Sequence, residues 1–308
     1  MDEELNETYI TLGGHVELHK YKYLYFFIMF TVYLLIICCN CSIVCLIWIH
    51  KNLHEPMYIF IAALLVNSAL FSTNIYPKLL LDFLYDKQII SYSACLLQFF
   101  LFYSLSGSEF LLLTVMSYDR YVSICKPLQY PTIMTKRTVG ILLLLAWLMP
   151  ACSVAIPAIL SADMKLCNFT LNGIFCNNSI YSLHCVSSKA RSLFGVVDLM
   201  IAALLPLLFI LFTYTRILIV LYQSCRKVRK KAAQTCLPHL LVLISFSCLC
   251  AFDVSVVRLG STFSRTVNLI MTLQVILYNP LFNPIIYGLK VKEISKPLKR
   301  LFCQPRLI

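Results

Sequence analysis

Two ionisable residues stand side by side at the end of a long apolar run. Asp119 and Arg120 follow residues 95–118, in which Glu109 is the only charged residue. An adjacent acid and base can form an ion pair that stabilises a resting conformation. When this pair opens, Arg120 is free to bind a partner. The alternative is that Arg120 is a plain interfacial anchor, since long basic side chains reach from apolar segments to water.

Two further titratable residues lie within apolar runs. A carboxylate at the position of Glu109 is costly unless it is paired or protonated. His239 is either a histidine satisfied by its packing or a titratable member of a polar network. The sequence has no HExxH, GxSxG or Walker motif and no paired carboxylates within these runs, so it does not indicate an enzyme.

Seven apolar runs must position these residues. The 308 residues are 60% hydrophobic and 13% charged, whereas a soluble domain is about 45–50% apolar. Each run is close to the roughly 20 residues that a helix needs to cross a bilayer. We therefore predict an all-α integral membrane protein, a seven-transmembrane helix bundle. The runs cover residues 23–49, 57–77, 95–118, 138–162, 192–215, 232–252 and 267–289.

The basic residues predict the orientation of the bundle. Most of the 26 Lys and Arg residues fall at one set of helix ends, which the positive-inside rule assigns to the cytoplasm. This bias accounts for the net charge of +12 without nucleic acid. We expect an extracellular N-terminus (1–22), a bundle (23–289) and a cytoplasmic tail with a short amphipathic helix (290–308), in the plasma membrane. A transporter or channel is less favoured, since no internal repeat is visible.

Cysteines and glycosylation sequons, at Asn6, Asn168 and Asn177, allow covalent modification on the predicted outer side, and Asn6 is the favoured glycosylation site. Disulfides persist outside the cell, and four cysteines allow three pairings between which the sequence does not choose. A metal site is the alternative, but the CxxC spacing of zinc ligands is absent. Asn6 begins an Asn-Glu-Thr glycosylation sequon. The four outer cysteines are Cys95, Cys167, Cys176 and Cys185.

Four motifs occur in order along the predicted helices. MSYDRYVSIC at 116–125 resembles the MAYDRYVAIC signature of odorant receptors, and KPLQYP at 126–131 continues it. LHEPMY at 53–58 is similar to the family's LHxPMY, KAAQTCLPHL at 231–240 to KAxxTCxxHL, and PLFNPIIY at 280–287 to PxLNPxIY. The chain is thus identified as a member of the odorant receptor family of rhodopsin-like G protein-coupled receptors.

This resemblance implies a function and an activation switch. The family binds small odorants from outside and activates a stimulatory, olfactory-type heterotrimeric G protein, which raises cAMP; no cofactor is implied. A non-olfactory receptor for a small polar metabolite is the alternative. The residues that match the family's activation switch are Asp119, Arg120, Tyr121, Tyr214, His239, Asn283, Pro284 and Tyr287.

The sequence departs from the family at two positions. In odorant receptors a Glu at the position of Glu109 faces an Asp on the second helix, and the two can hold a sodium ion. Here the second helix has Asn67 and Ser68 instead, and a single carboxylate makes a weaker cation site. Ser247 stands where the family usually has Tyr.

The family's ligand pocket lies in the outer third of the bundle. Arg258 near this height resembles an arginine that binds carboxylates through two oxygens, which favours a polar or acidic ligand. The alternative is that Arg258 simply ends the sixth helix in water. Asp253 and Arg258 are five residues apart, so both can approach one cavity. The pocket positions are Phe102, Tyr103, Leu105, Ser106, Asp198, Ala202, Cys250, Ala251, Asp253, Val254, Ser255 and Arg258.

Overall fold

The computed structural model describes residues 8–15, 18–185, 189–223, 236–237, 239–248, 265–291 and 294–295. Most of these residues are helical, as the apolar runs predict. The helices are α1 (Leu18–Ile49), α2 (Pro56–Leu84), α3 (Tyr92–Cys125), α4 (Lys136–Ala162), α5 (Lys189–Leu199, a π-helical turn Met200–Leu204, and Leu205–Tyr222), α6 (described over His239–Cys248) and α7 (Arg265–Lys290).

Within the described ranges, α1 to α5 are each long and apolar enough to cross a membrane. Their outward faces carry large apolar side chains such as Trp48, Leu144 and Leu148. Lipid is the solvent in which such a surface is stable, and a helix satisfies its own backbone there. The described part of the chain is therefore that of a multi-pass membrane protein.

Local signals set where the helices begin. Pro56 starts α2, where its missing N–H removes no helical hydrogen bond. Ser91 and Thr135 cap α3 and α4, because their hydroxyl oxygens accept from the backbone N–H groups of Ala94 and Thr138. The helices are longer than the apolar runs: α2 continues through Pro77 to Leu84.

Helix α3 lies at the centre of the bundle and packs against α2, α4 and α5, while α1 packs against α2 and α7. Helices α3 and α4 are in close contact at Gly107, where an added Cβ would lie 2.8 Å from the Cβ of Pro150. Helix α3 carries the predicted pocket and switch positions that lie between Phe102 and Tyr121.

The end of the bundle that carries the N-terminal segment, predicted to be the outer end, holds a small sheet that the sequence did not predict. Strand β1 (Tyr9–Leu12) pairs antiparallel with β2 (Ile89–Ser91) and parallel with β3 (Thr170–Leu171). Two disulfides lie below it, Cys95–Cys176 and Cys167–Cys185. The structure thus selects one of the three possible pairings, and the first bridge ties the outer loop to α3.

Candidate functional site

The C-terminal end of α3 holds a buried ion pair. The Arg120 guanidinium donates to Asp119 Oδ2, with Nε at 2.9 Å. Asp119 is fully buried and the side chain of Arg120 is 13% exposed. The two charges satisfy each other where water is scarce, which is the arrangement that the adjacent residues predict.

A third residue completes this pair, and the sequence analysis did not single it out. Tyr130, in the KPLQYP segment just after α3, donates its hydroxyl to Asp119 Oδ1 at 2.8 Å. Burial, and then the charge of Asp119, raise the pKa of Tyr130, so the hydroxyl remains a donor. Asp119 is therefore held from two sides. The only sequence signal was the position of this tyrosine within the motif.

A second polar contact joins three helices. The Tyr214 hydroxyl on α5 hydrogen-bonds His239 Nδ1 on α6, and His239 Nε2 lies 2.9 Å from the Leu113 carbonyl oxygen on α3. A carbonyl only accepts, so Nε2 carries the hydrogen and a neutral ring accepts from Tyr214 through Nδ1. The structure thus brings together two predicted switch residues.

Glu109 lies in a polar cluster among α2, α3 and α7. Asn283 Nδ2 donates to Glu109 Oε1 at 3.0 Å and to Ser68 Oγ at 2.9 Å. Ser68 therefore occupies the place opposite Glu109 where the family's Asp is expected. Nearby, Asn40 Nδ2 donates to the carbonyl of Pro280 at 2.9 Å, which binds α1 to the proline-containing part of α7.

Three other switch positions make no polar contact with the ion pair in this conformation. Tyr287 is buried on α7, and its hydroxyl has no hydrogen-bond partner among the described residues. Pro284 is buried one turn before it. Tyr121 packs at the edge of the apolar core in the cytoplasmic half. The roles assigned to these residues by resemblance stay predictions.

The described part of the expected ligand pocket is mostly aromatic. Phe102 is buried against Phe71 and Phe175, with ring centroids 5.3 and 4.8 Å apart. The Tyr103 hydroxyl accepts from the backbone N–H of Asn178 at 3.1 Å, and Ser106 donates to the Phe102 carbonyl at 2.8 Å. Both polar groups thus already have protein partners.

The remaining predicted positions are divided between α5 and undescribed parts of the chain. Asp198 is the penultimate residue of the first part of α5, and Ala202 lies in the π-helical turn; both are half-buried. Asn6, Cys250, Ala251, Asp253, Val254, Ser255 and Arg258 fall outside the described residues. Phe175 was missed by the sequence analysis, although its neighbour Cys176 could have signalled a position near the top of α3.

Comparison with known proteins gives consistent results. The family model described as "Olfactory receptor" matches residues 29–305. Human olfactory receptor 11H2 is 35% identical over 281 residues, which cover 90% of this chain and 86% of that protein. Human olfactory receptor 2AT4 is 34% identical over 283 residues, 91% and 88% of the two chains. Squid rhodopsin shares the fold, with a TM-score of 0.76 at 17% identity over 94% of this chain and 82% of its own.

Proposed function

Since this chain belongs to the olfactory receptor family, we propose that it binds a small odorant from the outside and activates a stimulatory, olfactory-type G protein, which raises cAMP. It acts in the plasma membrane with its N-terminus outside. The switch residues named above carry the signal, and the outer third of the bundle receives the ligand.

The observation that carries this proposal is the buried contact of Asp119 with both Arg120 and Tyr130. This contact occupies Arg120, the side chain that the resemblance assigns to the contact with a cytoplasmic partner. A ligand that binds better to a conformation with Arg120 released shifts the population toward it. The Tyr214–His239–Leu113 contact joins α5 and α6 to α3, so movement of α6 must break it.

The wall of the pocket favours a particular class of odorant. Phe71, Phe102 and Phe175 offer apolar surface, whereas Tyr103 and Ser106 already have backbone partners. We propose a ligand with an apolar body and one polar end, and Arg258 as the residue that binds an acidic end.

Cells that express the tagged receptor are treated with straight-chain alcohols, aldehydes and carboxylic acids, and cAMP is measured. We expect a ligand-evoked rise that Arg120→Ala abolishes at equal surface level. A rise of the same size in Arg120→Ala would contradict the proposed switch. We expect Arg258→Ala to weaken the response to acids only, and equal loss for acids and neutral odorants would remove the proposed acid contact.

A further inference from the structure

The segment 9–15, which precedes α1, lies between the loop that joins α2 to α3 and the loop that follows α4; we call it the strap. Its strand β1 is the central strand of the outer sheet, between β2 and β3. Its backbone N–H groups donate alternately to the two outer loops: Thr11 to Phe169, Leu12 to Gln88 and Gly13 to Leu171, each at 2.8 Å. A single strand therefore ties two otherwise separate loops together.

The strap is anchored by burial as well as by hydrogen bonds. Ile10 and Leu12 are 1% and 2% exposed and pack in an apolar cluster that includes the Cys95–Cys176 disulfide. An alternating strand with one buried face has a fixed register, because a slip of one residue would expose both side chains. The position of Gly14 at the end of the strand is fixed in consequence.

Gly14 contacts the backbone of the outer loop at Gly173. Its N–H donates to the Gly173 carbonyl at 3.2 Å. A Cβ at Gly14 would lie 2.5 Å from the carbonyl carbon of Gly173, closer than any side chain allows. The two backbones are thus in direct contact, and glycine is required for that approach.

Immediately after this contact the loop enters the bundle. Ile174, Phe175 and Cys176 are almost completely buried. Gln98 on α3 accepts from the Cys176 N–H at 2.9 Å and donates to the Asn74 carbonyl on α2 at 3.1 Å. This holds the Phe175 ring on Phe102, a position of the expected ligand pocket.

We propose that the strap positions the roof of the odorant site: its contact with Gly173 holds Phe175 on Phe102, and Phe175 contacts the apolar part of the ligand. This inference rests on the proposed function. The strap therefore sets the position of the loop segment that carries Phe175, and with it the contact that Phe175 makes in the site. Gly14 is a positioning residue. Phe175 contributes to specificity because it favours ligands that have an apolar part.

The positioning claim is tested without any ligand. Phe175→Cys is labelled on intact cells with a cationic, membrane-impermeant methanethiosulfonate reagent, alone and combined with Gly14→Ala or Gly13→Ala. At Gly13 an added Cβ would lie 3.3 Å from the Thr170 Cγ2, a contact that a side chain can relieve, so this variant is the matched control. We expect Gly14→Ala to raise the labelling rate roughly tenfold through local opening, and Gly13→Ala to leave it unchanged.

The proposed role in ligand binding is tested with the same alcohols, aldehydes and carboxylic acids, on receptors that retain Phe175, by measuring odorant-evoked cAMP. We expect Gly14→Ala, but not Gly13→Ala, to raise the half-maximal odorant concentration roughly tenfold at equal surface level. Unchanged labelling in the Gly14→Ala background would overturn the inference, and so would faster labelling with unchanged potency. Faster labelling of a receptor that answers no odorant would contradict the proposed function but confirm the positioning role.

Discussion

Single side chains hold the ion pair at the C-terminal end of α3, which we propose is the resting state of the switch. Arg120 keeps its charge in a mostly buried place because Asp119 lies against it, and Tyr130 fixes the second oxygen of that carboxylate. Loss of either partner leaves the ion pair less well satisfied, which favours conformations in which Arg120 is released.

Tyr130→Phe keeps the ring and removes only the hydroxyl that donates to Asp119. A hydrogen bond to a charged group contributes about 1.5–3 kcal/mol, so the ratio of resting to active receptor falls roughly ten- to hundredfold if the bond is made only in the resting state. We expect higher cAMP without ligand at unchanged surface level. Thr132→Ala, which alters an exposed hydroxyl in the same turn, is the control. Equal basal signals in both variants would argue against a role for Tyr130.

Because Ser68 is uncharged, we expect the interior of this protein to be insensitive to sodium. Glu109 is bound by Asn283, which also donates to the Ser68 hydroxyl, so one carboxylate is present where the family has two. We expect replacement of external Na⁺ by choline to leave basal and odorant-evoked cAMP of the natural receptor unchanged. Ser68→Asp adds the second carboxylate and should make signalling sensitive to Na⁺; Ser68→Asn is the uncharged control. Sodium dependence of the natural receptor would contradict this prediction.

At the scale of the elements, helix crossings and the strap set the geometry. Gly107 allows α3 to approach α4 at Pro150, whereas Gly140 on α4 has nothing within 4 Å of an added Cβ. The two glycines form a matched pair, since alanine favours both helices equally but meets a neighbour only at Gly107.

We expect Gly107→Ala to destabilise the receptor by about 1–3 kcal/mol, because the added Cβ overpacks the crossing. Gly140→Ala should leave stability unchanged or slightly raised. The thermal midpoint of the detergent-purified receptor, followed by the loss of monodisperse protein on heating, measures both. Similar midpoints for the two variants would show that α3 and α4 are not in close contact.

His15 makes the strap sensitive to pH. Its ring packs near Phe83, both ring nitrogens lack a hydrogen-bond partner in the described structure, and the nearest basic group is Lys78, which pairs with Asp82. Burial, and then Lys78, lower the pKa of His15 from 6.5 to about 4. The released segment keeps the ordinary pKa, so the stabilisation is complete above pH 6.5 and is lost as the pH falls toward 4.

The thermal midpoint of the natural receptor should therefore decrease as the pH is lowered from about 7 to about 5. His15→Phe keeps an aromatic ring beside Phe83 and sacrifices no hydrogen bond, so its midpoint should fall less over the same range. An identical fall in both proteins would rule out His15 as the group that titrates.

At the scale of the whole molecule, charge asymmetry and lipid set the orientation. An N-terminal tag should be accessible to antibody on intact cells, and a tag inserted within 224–231 only after permeabilisation. Asn6→Gln should remove a glycosidase-sensitive shift in mobility on gels. Antibody access to the 224–231 tag on intact cells would contradict the proposed orientation of the helices in the membrane.

The fold class, the membrane spans and the motif order follow from the sequence by itself. A long apolar run indicates a lipid environment without reference to the rest of the chain, and the residues of each motif lie on one short segment. The extents of the helices were underestimated, since α2 continues through Pro77 and ends at Leu84. The adjacent pair Asp119 and Arg120 was likewise predictable from sequence alone, because neighbouring residues need no fold to meet.

Only the tertiary structure decided which distant residues meet. Asn283 and Ser68 are 215 positions apart, Cys95 and Cys176 are 81 apart, and β1 lies between two loops that follow different helices. Such contacts depend on how the helices pack and where the outer loops return, and no local pattern encodes that choice. For the same reason Tyr130, Gly14 and Phe175 became visible as functional candidates only once their partners were in place.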